Sequence, residues 1–235
     1  DGNAASPVSV FAADIDLDGD IDIVSALYDS HSIVWWENSG DNQTWNKHTI
    51  GTNFLQAGCV VVADLDGDDL PDVIGSARNG HQVAWWRNKG GNPIQWEKQV
   101  IRNNYTYAHE VKAYDLDQDG DMDVIGCSSD LHLISWWRND GGSPISWTEF
   151  TIGEDVSMAK SIDIGDFDSD GKPDVVGAAL FSHDVILFRN LGGNPIRWER
   201  SLIDDDFNGA HRVEAVDIDL DGVLDVVGAG YMGGT

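Results

Sequence analysis

Short apolar runs bounded by polar turns recur along the chain, and none continues into the 3.6-residue periodicity of a helix. Across residues 110–152 they read as four strands, at about 110–114, 123–127, 133–138 and 146–152, separated by an aspartate-rich loop, a turn and a glycine hairpin. The same succession returns at a fixed beat. Aspartate loops begin at Asp14, Asp64, Asp115, Asp166 and Asp217, spaced 50, 51, 51 and 51 residues apart. A histidine stands four residues before an aromatic pair in three copies (His31 before Trp35-Trp36, His81 before Trp85-Trp86, His132 before Trp136-Trp137), and His183 precedes Leu187-Phe188. Asn38, Asn88, Asn139 and Asn190 follow at a fixed offset, then Gly-rich turns, then a lone Trp45, Trp96, Trp147 or Trp198. Ala57, Ala108, Ala159 and Ala210 open the segment that leads into the next loop.

A period near 50 residues with four strands per unit predicts an all-β fold of β-propeller blades. The reading is one domain over 1–235, with repeats at about 1–50, 51–101, 102–152, 153–203 and 204–235. Helical solenoids fail for want of helices. Four units are complete, and the fifth has two strands. Only seven residues precede the first predicted strand at Val8, so no spare N-terminal strands complete the fifth blade. Either about five blades close with a two-stranded last member, or the chain is part of a larger ring. An open end leaves edge strands unpaired, and self-association through that edge is one expectation.

The loops carry the chemistry. Each reads Asp-x-Asp-x-Asp-Gly-x-x-Asp or nearly so, and alternate side chains of a tight loop converge on a centre. Two like charges about 6 Å apart in water repel by roughly 0.7 kcal/mol, more once partly buried, so the cluster calls for a cation. Oxygen-only, carboxylate-rich ligands in a flexible loop select Ca2+, about five ions, one per repeat. The helix-loop-helix calcium hand needs a Glu at position twelve, where this chain has Ser25, Gly75, Gly126, Gly177 and Gly228. The residues after position nine are Ile-Val, Val-Ile or Val-Val, so the loop feeds a strand. Side-chain ligands are assigned to positions one, three, five and nine, with a backbone carbonyl at position seven. In the first loop these are Asp14, Asp16, Asp18 and Asp22, with Asp20; in the second, Asp64, Asp66, Asp68 and Asp72, with Leu70. The third has Asp115, Asp117, Asp119 and Asp123, with Asp121; the fourth, Asp166, Asp168, Asp170 and Asp174, with Lys172; the fifth, Asp217, Asp219, Asp221 and Asp225, with Val223. The second loop has Gly67 at position four and Asp69 at six, which predicts an altered turn.

These residues, leading into Val-Ile-Gly at this period, resemble FG-GAP/VCBS repeats, as in integrin α-subunit propellers, some fungal lectins and many secreted bacterial proteins. The resemblance covers nearly the whole chain. It implies a calcium loop between the first and second strands of each blade. It leaves function open, because the family hosts adhesion, sugar binding and lyase chemistry.

Charge sharpens the picture. The net charge of −27 comes from 41 acidic and 14 basic residues. The five loops hold 23 of the acids as Asp, so the acidity is mostly ligand inventory, and five calcium ions bring the charge to −17. What remains excludes a nucleic-acid surface and an anionic membrane surface. No apolar stretch approaches the ~18–20 residues of a membrane span. Cys59 and Cys127 fall at different repeat positions and read as two buried thiols, with a disulfide as the alternative. Extracellular calcium modules bind at about 10⁻⁴–10⁻³ M, which cytosolic calcium cannot fill. The expected location is therefore secreted or at the cell surface.

Residues repeated once per blade read as structure. The tryptophans read as inter-blade core, and His31, His81, His132 and His183 as hydrogen-bonded structural histidines. One active site needs one constellation that breaks the repeat, and no hydrolase, zincin or phosphate-loop motif appears. What does break the repeat are the connections between units and the turns before each third strand. Tyr105, Tyr107, His109, Lys160, Phe207, His211 and Arg212 are the ligand-face candidates. The expected role is non-enzymatic: a binding or adhesion module for carbohydrate or an extracellular protein. The alternatives are part of a polysaccharide lyase or dehydratase, using His109, His211, Tyr105, Tyr107 and Arg212, or a self-assembling surface repeat.

Overall fold

The computed structural model describes residues 6–41 and 43–231. All regular structure among them is β. The first blade comprises β1 (Pro7–Ala13), β2 (Asp22–Leu27), β3 (Ser32–Asn38) and β4 (Trp45–Gly51). The second comprises β5 (Ala57–Ala63), β6 (Asp72–Ala77), β7 (Gln82–Asn88) and β8 (Trp96–Asn103). The third is β9 (Ala108–Tyr114), β10 (Asp123–Ser128), β11 (Leu133–Asn139) and β12 (Trp147–Gly153). The fourth is β13 (Ala159–Gly165), β14 (Asp174–Ala179), β15 (Asp184–Asn190) and β16 (Trp198–Asp204). Each is a four-stranded sheet in sequence order, and β17 (Ala210–Val216) and β18 (Asp225–Gly230) form a two-stranded fifth. These are propeller blades, with the aspartate loop between the first and second strands.

The register explains the sequence pattern. Val73 pairs with Trp86 and Ile74 with Trp85 across β6 and β7. Every residue of β6 and of β14 is buried. A strand covered on both faces reads as a continuous apolar run rather than an alternation. The fourth strands β4, β8 and β16 are largely exposed.

The described residues fall into two compact units that divide between Ala113 and Tyr114. In the first, Ile15, Trp35, Phe54, Val60 and Trp86 belong to one apolar cluster. In the second, Leu116, Trp136, Ile162 and Phe188 do the same. The Trp doublets are core as expected, save that Trp36 is only half-buried. The lone Trp set is not: Trp45 is 38% exposed and Trp96, Trp147 and Trp198 are half-buried, because they start the outermost strands. Gly51 and Gly153 mark where aromatic rings press on the backbone of the preceding blade. A Cβ there would lie 2.5 Å from the Trp86 indole and 2.4 Å from the Phe188 ring. Both cysteines are free and buried, and burial pushes the Cys59 thiol up to about 11, well outside reactive range.

Histidines link successive blades. His31, His81, His132 and His183 occupy left-handed turn positions, φ 50–63°. Their Nδ1 atoms accept the backbone N–H of Gln56, Tyr107, Met158 and Gly209 at 2.8–3.1 Å. An N–H can only donate, so Nδ1 of His81, His132 and His183 is the acceptor and each ring is held in one tautomer, whereas His31 Nδ1 lies between the Gln56 N–H and the Tyr28 carbonyl at 2.9 Å. The structural reading of these histidines stands.

Candidate metal centres at the aspartate loops

The five loops are wound by their own side chains. The position-one carboxylates of Asp14, Asp115, Asp166 and Asp217 each accept the N–H groups of positions five and six at 2.9–3.1 Å. Position-five carboxylates accept the N–H of position seven at 2.8–3.1 Å: Asp18 from Asp20, Asp68 from Leu70, Asp119 from Asp121, Asp170 from Lys172 and Asp221 from Val223. Position seven is thus fixed through its backbone, which explains why Asp, Leu, Lys and Val all serve there.

Positions four and six are left-handed in every loop. Leu17, Gln118, Ser169 and Leu220 sit at φ 59–62°, each followed at position six by a glycine at 83–102°. The second loop was expected to turn differently, and it does not. Gly67 takes position four at 69° and Asp69 position six at 64°, and Asp64 still accepts N–H bonds from Gly67, Asp68 and Asp69. Aspartate tolerates this region better than most residues, so the exchange of glycine positions leaves the path intact.

Position nine is the anchor. Asp22, Asp72, Asp123 and Asp174 are fully or almost fully buried. One oxygen of each accepts the position-two N–H (Ile15, Leu65, Leu116, Phe167) at 3.0–3.1 Å. The other accepts the N–H of Asn38, Asn88, Asn139 or Asn190 at 2.7–2.8 Å. Those asparagines then clip the loop to the hairpin. Each Nδ2 donates to the position-eight carbonyl at 3.1–3.3 Å, and each Oδ1 accepts the N–H of Gly40, Gly90, Gly141 or Gly192. Sequence reading found the asparagine period but not its work. The fixed offset to position nine was the available signal.

The carboxylates converge. Oxygens of positions one, three and nine lie within 4.8 Å of one another in loops two to five, as do those of Asp14, Asp16 and Asp18 in the first. Position five, assigned as a ligand throughout, joins such a group only in the first loop; elsewhere the third member is position nine. Burial pushes Asp72 and Asp123 up to about 7, against the pull of their two backbone N–H bonds. Burial also raises Asp16, Asp66 and Asp117, followed by the charge of Asp18, Asp68 and Asp119 respectively. The Oδ1 atoms of these three position-three residues are buried without any hydrogen-bond donor. A buried oxygen with no donor, inside a ring of hard oxygen ligands, is what a divalent cation fits.

The ligand-face candidates differ widely in exposure. Tyr105 is 0% exposed and serves as core, so it leaves the surface set; its N–H donates to the His81 carbonyl. His109 and Lys160 are buried. Tyr107, Phe207 and His211 are half-buried, and Arg212 is exposed and paired with Glu214 at 3.0 Å. His211 lies 5.7 Å from the Tyr231 ring. A cavity of about 270 Å³ lies elsewhere, on the loop side of the third blade, lined by Asp117, Gln118, Asp119, Trp136, Arg138 and Asn194 among others. Its lining residues all belong to repeated elements, so nothing in the spacing sets them apart from the same positions in other repeats.

The profile described as FG-GAP-like repeat matches at residues 14–75, 64–126, 115–177 and 166–228. No curated protein matches the chain. Among solved structures, the crystal structure of BBS1N in complex with ARL6DN, soaked with lead, has a TM-score of 0.58 at 13% identity, covering 90% of this chain and 60% of that one. A crystal structure of a protein from Lactobacillus plantarum has a TM-score of 0.59 at 17% identity, covering 96% and 64%. At this identity the likeness is one of fold, and the chain spans less than two thirds of either neighbour.

Proposed function

Because the chain belongs to the FG-GAP-like repeat family, we propose that it is a secreted, calcium-stabilised β-propeller module that binds carbohydrate or protein ligands outside the cell. The observation that carries this reading is the set of donorless buried oxygens on Asp16, Asp66 and Asp117 within repeated carboxylate clusters. Positions one, three and nine, with Asp18 in the first loop, would hold the ion. Calcium supplies charge neutralisation there and cross-links oxygens that otherwise repel. The extracellular location is supported by the affinity expected of such loops, since ~1 mM calcium fills sites of about 10⁻⁴–10⁻³ M. No helix among the described residues is long and apolar enough to cross a membrane. The cavity beside the third loop is bordered by Trp136, Arg138 and Asn194 and also by Asp117 of the ion cluster, so a ligand there would meet the ion site itself.

At ~1 mM calcium each site adds roughly 0.4–1.4 kcal/mol. Five sites then supply much of a stability of about 5–15 kcal/mol. Melting in EDTA against 1 mM calcium tests this: the melting temperature falls by many degrees without calcium. An unchanged melt would falsify the structural role. Glycan and extracellular-protein arrays, run in calcium, then test the binding role.

A second reading, self-association, rests on the terminal blades. β1 exposes Val8 and Val10, and the β17–β18 sheet exposes Val216 and Val227. Of these, Val10 and Val227 stand at repeat positions that are buried in every other blade.

A further inference from the structure

The residue just before each clip asparagine overlooks the aspartate cluster, and it changes sign along the chain. In repeats two, three and four it is Arg87, Arg138 and Arg189; in repeat one it is Glu37. Arg87 places Nε 2.5 Å from Asp66 Oδ2 and an Nη 3.0 Å from Asp68 Oδ2. Arg189 stands between Asp168, at 3.8 Å, and Glu199, at 3.3 Å. Arg138 bonds Asp140 at 2.7 Å and also acts on Asp117 and Asp119 through its charge. Glu37 adds a repelling charge to Asp16 while bonded to His48 at 2.7 Å. Position seven adds to the contrast, with Asp20 in the first loop and Lys172, paired with Asp170, in the fourth. The first loop thus holds five aspartates, of which Asp14, Asp16 and Asp18 converge, beside Glu37. The fourth sets four aspartates against two cations.

We infer that these flanking charges grade the loops, so that the first repeat takes calcium most tightly and the fourth most weakly. The inference rests on the calcium reading above. In repeats two to four the guanidinium is a resident counter-ion, drawing on carboxylates that an incoming cation needs. Where Asp66 is held by Arg87 through one oxygen, its other oxygen is the donorless one. That partition keeps the loop folded at low calcium and makes the ion compete for a ligand already half neutralised. In the first repeat the flanking Glu37 adds to the charge of the carboxylates instead of offsetting it, so an ion meets the full negative cluster. A protein built this way fills in stages as calcium rises.

Coulomb interaction with a divalent ion several ångströms away gives about three- to tenfold in affinity per flanking charge, reduced by salt. The experiment is competition of the whole chain with a chromophoric chelator for calcium, giving stepwise constants, for the native sequence, Glu37→Arg and the double variant Lys172→Gln/Arg189→Gln. All three positions are partly exposed, and circular dichroism in calcium checks that the folds match. The expected result is a spread of at least tenfold among the native constants. Glu37→Arg should weaken the tightest, and the double variant should strengthen the weakest by tenfold or more. The spread should also narrow in 1 M salt. Five equal constants that none of the substitutions moves would overturn the grading and leave the calcium reading standing. No calcium uptake by any form would overturn both.

Discussion

At the scale of single residues, the position-nine aspartate and its asparagine do the joining. Asn88 is 1% exposed, with its Nδ2 on the Pro71 carbonyl and its Oδ1 on the Gly90 N–H. Asn88→Ala strands both backbone groups, at about 1–2 kcal/mol each. For a chain of this length that lowers the melting temperature by roughly 4–16 °C; a shift under one degree in differential scanning calorimetry would show the clip to be idle. His81 permits a sharper comparison. Its ring accepts the Tyr107 N–H from a left-handed backbone at φ 50°. Asparagine tolerates that conformation and offers an acceptor, whereas phenylalanine does neither. His81→Asn should melt within about two degrees of the native protein, and His81→Phe well below both, having lost about 1–2 kcal/mol. Equal losses in the two variants would mean ring packing, not the hydrogen bond, is what matters. The aspartates, the histidines and the asparagines were all legible in the sequence as periodic residues. Their partners were not, because a bond from Asp72 to the N–H of Asn88 depends on strand register that spacing alone does not fix.

At the scale of the element, strand limits at 110–152 were readable to within two residues, because the Asp and Gly clusters that punctuate them are also what ends them. The second loop was misread for a related reason. Left-handed geometry at positions four and six belongs to the loop as a whole, and either residue of the pair can be the glycine. Tyr105 was misread because a residue in a connection looks exposed until the next blade covers it. The loop also has a pH signature. Burial pushes Asp72 and Asp123 up to about 7, so each holds a proton that an ordinary carboxylate has lost by pH 5. Calcium takes the ionised form, so the proton competes with it at every pH below about 7. Apparent affinity should be flat above pH 8 and fall as pH drops through 7 and 6. Calorimetry in buffers of different ionisation enthalpy should find protons released on binding near pH 6 and almost none at pH 8.5. Binding at pH 6 with no proton release would show that the anchoring carboxylates are already ionised.

At the scale of the whole chain, the repeat lets equivalent positions be compared from blade to blade. Val10 lies four residues before its loop, as do Val60, Val111, Ile162 and Val213. Those four are at most 1% exposed, and Val10 is 67% exposed. Ten residues after the loop start, Val24, Ile74, Ile125 and Val176 are 0% exposed, while Val227 is 40% exposed. The same register position is therefore sealed in the other blades and open on β1 and β18, each on its own sheet. Blade-on-blade packing is what seals it elsewhere. The surface best matched to either open face is thus another blade of this kind, and a second copy of the chain supplies one. Head-to-tail contact of that sort is heterologous and extends unless it closes. Light scattering in 1 mM calcium across a hundredfold range of concentration should show mass rising with concentration. Val10→Glu or Val227→Glu should hold the chain monomeric with its strand content unchanged, since both side chains are on the surface of the single chain. A native protein that stays monomeric throughout would mean that these faces are satisfied without a second copy, and the self-association reading would then be withdrawn. If assembly survives both glutamates, the contact lies elsewhere, and the exposed valines are ordinary surface.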